Sequence, residues 1–86
     1  MPLVSRFFGI SIYMYYDEHN PPHFHAIYSE DEGQIGIAPL ALLRGQLSSR
    51  ALALAIEWAA LHQRELLENW ELMRQDQPPR KIDPLK

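Results

Sequence analysis

Three of the four histidines, His19, His23 and His25, fall within seven positions of the segment DEHNPPHFH, residues 17–25. If the end of that segment is extended, His23 and His25 lie on one face of a strand, about 6.5 to 7 Å apart along it. That spacing suits two chemistries. Neutral imidazoles so placed could share a divalent metal, with Asp17 or His19 swinging in from the loop as a third ligand. The same pair could do acid–base work, one ring accepting a proton while the other donates one, because imidazole titrates at roughly pH 6.5.

On an RNA backbone the acid–base reading is concrete. One of His23 and His25 deprotonates the 2′-hydroxyl, the other protonates the leaving oxygen, and His19 supports them. Arg6, Arg44 or Arg50 then stabilises the phosphorane, and Tyr13, Tyr15 or Tyr28 stacks an exposed base. A third reading needs no chemistry at all: the imidazoles sit half-exposed and hydrogen-bond to loop carboxylates such as Asp17 and Glu18. The residues alone leave all three open. No Gly-rich phosphate loop, nucleophile elbow or zinc-finger spacing is present, so no cofactor is expected; a metal, if any, would fall to His23, His25 and Asp17.

The elements that must position these residues read as α+β. FFGISIYMYY, residues 7–16, is rich in β-branched and aromatic types and predicts a strand, with Phe8, Ile10, Ile12, Met14 and Tyr16 towards the core. DEHNPP makes a stiff connection, since two prolines remove two backbone donors. A second strand follows at 23–29, with Phe24, Ala26 and Tyr28 on one face and His23, His25 and Ile27 on the other. EDEG, residues 30–33, predicts an acidic turn ending in a glycine suited to positive φ. QIGIAPL predicts a third strand, and LALLRGQ a fourth short strand or a single helical turn.

Residues 48–75 predict a helix capped by Ser48 or Ser49, with Leu52, Ala55, Ile56, Ala59, Leu66, Trp70 and Met73 as its buried stripe and Leu54, Trp58 and Leu61 beside it. At about 1.5 Å per residue it would run roughly 40 Å, twice the width of a sheet of six-residue strands. So it must bend, break near His62-Gln63, or overhang the sheet and offer Leu66, Trp70 and Met73 to a partner. The tail 76–86 holds three prolines and predicts an extended segment that Ile82 and Leu85 could anchor. The expectation is one domain over residues 1–86: a small antiparallel sheet of three or four strands (about 7–45), one long, breakable C-terminal helix and the tail.

Eighty-six residues bury only a modest core, which makes a partner or a second copy of the chain a reasonable expectation. The composition, 47% apolar and 22% charged, is that of an ordinary globule. A net charge of −3 and the absence of a contiguous basic stripe leave RNA as a disfavoured partner. Residues 17–34 carry five acids and no Lys or Arg, so any cation for the histidine segment must come from elsewhere. No apolar run reaches the roughly 20 residues of a membrane helix, and the N-terminus lacks a secretory pattern. With no cysteine, the expected location is the cytoplasm.

Three stretches, SRFFGISIYMYYDEHNPPHFHAIY, LLRGQLSSRALALAIEWAALHQRELLENWELMR and KIDPL, resemble a bacterial family of domains of unknown function catalogued under number 4160. The resemblance covers nearly the whole chain. Tyr16 stands where phenylalanine is also common, and Ser48-Ser49 replaces a frequent Leu-Pro; neither touches the histidine motif. The resemblance implies a small protein often encoded beside a second small protein, in an arrangement like a toxin–antitoxin pair. It therefore implies a protein-binding component whose partner is the neighbouring gene's product, for which the helix overhang offers Leu66, Trp70 and Met73 as the docking surface. It also marks Asp17, His19, Asn20, His23 and His25 as the family-typical surface. Arg6 and Tyr28 complete the ligand surface expected there, and no catalytic residue carries over.

Overall fold

The computed structural model describes residues 2–86. Strands β1 (Leu3–Phe7), β2 (Ile10–Tyr13), β3 (His23–Tyr28), β4 (Asp31–Ile37) and β5 (Leu40–Gly45) form one antiparallel sheet in chain order. Helices α1 (Ser49–Leu61) and α2 (Gln63–Arg74) follow. The α+β class is as expected, but the sheet has five strands where three or four were expected, and two helices replace one.

The extra strand at the front comes from a turn inside the segment read as continuous. Phe8 (φ 49°) and Gly9 (φ 81°) both adopt left-handed backbone, and Phe7 pairs directly with Ile10. Two positive φ values in a two-residue loop match the twist of the flanking strands. Phe8 is thereby expelled to solvent, and Phe7 takes its expected place in the core. The second turn also shifts. It falls at Ser29-Glu30, with Ser29 at φ 56°, and the chain is already paired again at Asp31. Gly33 is therefore a strand residue and not the end of a turn. A Cβ there would stand 2.9 Å from Leu42 Cδ1 and 3.1 Å from Leu47, so the glycine serves close packing.

One face of the sheet carries Ile10, Ile12, Phe24, Ala26, Ile35 and Ile37, all fully buried. Alternation in β2, β3 and β4 puts them there, and α1 covers them with Ala51, Ala55, Trp58 and Ala59. Trp58 meets Phe24 edge-on, with ring centroids 5.7 Å apart, and lies 5.3 Å from Phe7. Ser48 caps α1, its Oγ accepting the Ala51 N–H at 3.1 Å. Leu61, expected in the second apolar stripe, is 68% exposed.

The long apolar run breaks at His62 (φ −127°, ψ 25°), one of the three outcomes its length left open. The Gln63 side chain donates from Nε2 to the Ile37 carbonyl at 2.6 Å, pinning the break to the end of β4. This removes the overhang. Leu66, Trp70 and Met73 are 0, 7 and 5% exposed, inside the core. The expectation that they form a docking surface is corrected: the break lets α2 fold its apolar stripe inwards.

The tail is extended and fixed at several points. Ile82 is buried and its N–H donates to the Val4 carbonyl at 3.0 Å. Asn69, itself buried, clasps Arg80 by accepting its N–H and donating to its carbonyl, both at 2.9 Å. Trp58 Nε1 donates to the Asp83 carbonyl at 2.8 Å. Among the described residues no helix is long and apolar enough to cross a membrane.

Candidate metal centre

The strand register lays out the other face of the sheet in rows. Tyr13, His25, Gln34 and Arg44 are opposite one another on four successive strands; His23 lies opposite Gly36 one row on. Directly paired residues point to the same side, so the histidines share the outer face. Yet His23 and His25 are only 6 and 5% exposed. The 14–22 connection and the Trp70 ring cover them. Trp70 lies 5.3 Å from His23 and Tyr15 is edge-on to His25 at 4.5 Å, centroid to centroid.

Glu18 is the carboxylate that reaches the two rings. Asp17 adopts left-handed backbone (φ 62°), which a short polar side chain tolerates, and remains exposed while its neighbour turns inwards. Glu18 Oε1 stands 2.5 Å from His25 Nε2 and 3.4 Å from His23 Nε2. One donor atom from each of Glu18, His23 and His25 lies within 4.8 Å of the others. Asp17, expected as the third ligand, is not in this set, nor is His19.

The remaining ring nitrogens are anchored. His23 Nδ1–H donates to the Pro21 carbonyl at 2.8 Å. That fixes the tautomer and leaves a lone pair on His23 Nε2, which is buried and has no hydrogen-bond partner among the described residues. His25 Nδ1–H donates to Glu32 Oε2 at 2.9 Å. Glu32 is on β4, diagonal to His25 on the same face. A proton must occupy the close contact between His25 Nε2 and Glu18 Oε1, since two bare lone pairs at that distance repel. The Tyr15 phenol is pushed up from its usual value by burial, then by the nearby Glu32, Tyr13 and Glu18, so it stays neutral beside the site.

Two depressions flank Glu18. One, of about 210 Å³, is bordered by Tyr15, Asp17, Trp70 and Arg74. The other, of about 320 Å³, is bordered by His19, Asn20, His23, Gln34, Leu43 and Arg44. Other expected residues lie apart from the centre. Arg6 is exposed and donates to Ser11 Oγ at 3.2 Å. Tyr28 is on the core-side face, against Gly9. Glu32, read from sequence as part of an acidic turn, is the one component missed outright.

The fold and this centre together define an α+β protein built on a five-stranded meander with a histidine–carboxylate cluster on its outer face. The family model for the domain of unknown function DUF4160 matches residues 9–71, and the chain belongs to that family. No curated protein and no solved structure matches it.

Proposed function

We propose that this protein binds a divalent transition metal, zinc above all, through Glu18 Oε1, His23 Nε2 and His25 Nε2. The observation that carries this reading is the buried His23 Nε2: with Nδ1–H bonded to Pro21 it points at Glu18 Oε1, 3.4 Å away, and makes no hydrogen bond of its own. An unpaired buried acceptor is costly, and a cation relieves it. The second ring follows the same logic. A carboxylate on the far nitrogen of a ligating histidine, as Glu32 provides for His25, is the usual outer support of a metal site.

One ligand separation already suits zinc. Tetrahedral coordination at 2.0 to 2.1 Å places neighbouring ligand atoms about 3.3 Å apart, close to the 3.4 Å between His23 Nε2 and Glu18 Oε1. The His25–Glu18 contact must open by less than about 1 Å as metal replaces the proton. Three protein ligands leave a fourth position for water, the arrangement of zinc sites that do chemistry. Cobalt(II), a spectroscopic stand-in for zinc, is expected to give the absorption of a tetrahedral N/O site at one equivalent, and His23→Ala to weaken uptake by roughly 100-fold or more. Equal uptake by the variant, or none by the native chain, would sink the reading.

A second reading, a partner-binding component of a two-gene module, has one observation in its favour. Strand β5 is an open sheet edge with Leu42 and Leu43 at 37 and 43% exposure, whereas the β1 side carries the tail. Charge on an edge strand discourages pairing. Leu42→Lys should therefore abolish co-purification with the neighbouring gene's product and leave metal uptake intact; undiminished co-purification counts against this edge.

A further inference from the structure

We infer that the ligand of this centre is a small phosphate-bearing molecule, one oxygen on the metal and two on the Arg44 guanidinium; the inference rests on the metal reading above. Arg44 is placed by an irregularity in the sheet. The β4–β5 register shifts between Gln34 and Ile35, so Leu43 is an extra residue on β5. Bulges of this kind re-aim side chains. Here Leu43 approaches the space above Gly36, and Leu43 and Arg44 both border the depression that also contains His23. Without the bulge, successive residues would point to opposite faces.

Gly36, opposite His23, lets Leu43 pack closely over β4. A Cβ there would stand 3.0 Å from the Pro39 carbonyl and 3.4 Å from Leu43. At about 320 Å³ the depression has the size of a small-molecule site and not of a nucleic-acid channel. Arg44 makes no ion pair among the described residues, although the chain is acidic overall. Among the described residues, the only acid bordering the depression is Glu18, the proposed metal ligand. With a dication on Glu18, the remaining charge there is positive.

The row His25–Gln34–Arg44 spans two strand spacings, about 10 Å between backbones. Arg44 and His23 border the same depression across that row. Phosphate suits the span better than carboxylate. After giving one oxygen to the metal it keeps two or more for the planar guanidinium fork, whereas a carboxylate keeps one. Asn20 and Gln34 add amide groups at the rim.

The test uses the full chain loaded with cobalt(II), with inorganic phosphate as probe and acetate as control. Phosphate is expected to perturb the cobalt absorption and acetate to do so far more weakly. Arg44→Gln should weaken phosphate by roughly tenfold or more, and Arg44→Lys by less, with cobalt affinity unchanged in both. Arg44 is exposed on an edge strand, so both variants are expected to fold, as circular dichroism will show. Phosphate binding equally to native chain and Arg44→Gln, acetate matching phosphate, or no perturbation by phosphate overturns this inference and leaves the metal reading standing. Absence of cobalt uptake overturns both.

Discussion

Trp58→Ala is expected to lower the unfolding free energy by about 3 to 5 kcal/mol, the range for emptying a large aromatic from a packed core. Trp58 is fully buried and joins three parts of the protein. Its ring meets Phe7 of β1 and Phe24 of β3, and its Nε1 holds the tail at Asp83. A domain of this size has a stability of about 5 to 10 kcal/mol, so the loss is about a third of the total or more. Urea unfolding followed by circular dichroism measures it. If the alanine variant does not fold, Trp58→Phe carries the test. It keeps an aromatic ring and removes the bond to Asp83, for an expected loss of about 1 to 3 kcal/mol. A loss below about 1 kcal/mol for the alanine variant would mean that the core does not close around this residue.

The second large effect is stabilisation by metal. A ligand at a free concentration 1,000 times its dissociation constant adds about 4 kcal/mol to a protein that binds it only when folded. For a chain of this length each kcal/mol moves the thermal midpoint by about 4 to 8 °C, so saturating zinc is expected to raise it by more than about 15 °C. The sign of the pH effect follows from the proton between His25 and Glu18, which the metal displaces. Binding releases protons, so affinity rises with pH, about tenfold per pH unit for each proton released, and the thermal shift shrinks as the solution is acidified. His25→Ala should abolish the shift, and Glu32→Gln should weaken affinity by about 10- to 100-fold by loosening the ring. A zinc shift that is independent of pH, or that survives His25→Ala, would place the metal somewhere else.

Much of the fold is legible in the residues. The α+β class and the faces of the histidine strand follow from periodicity, while the Ser48 cap and the break at His62 were among the alternatives that capping chemistry and the length of helix a small sheet can cover left open. The turns were less legible, because two positive-φ positions fall on Phe8 and Ser29, types that rarely adopt that backbone. Placing the acidic turn at 30–33 left Glu32 outside any strand. Moved back to Ser29-Glu30, the same alternation puts Glu32 on the face of His25. The choice of Glu18 over Asp17 depends on a backbone twist at Asp17 that adjacent carboxylates do not reveal. Leu66, Trp70 and Met73 were placed on a surface because one-dimensional spacing cannot tell a helix that overhangs from one that folds back.

The meander gives the polypeptide a marked order of assembly. Each strand lies beside its sequence neighbour, so building the sheet means closing short loops, which lose little chain entropy. Tyr15 to Gln34, with every group proposed to contact metal, come together through two such closures. The one pairing that joins opposite ends of the polypeptide is Ile82 with Val4, the entropically dearest contact to form. By chain entropy alone, the histidine hairpin is among the cheapest parts of the sheet to close and the C-terminal strap the costliest to dock. The strap is thus the part of the chain whose attachment depends most on the rest being already folded.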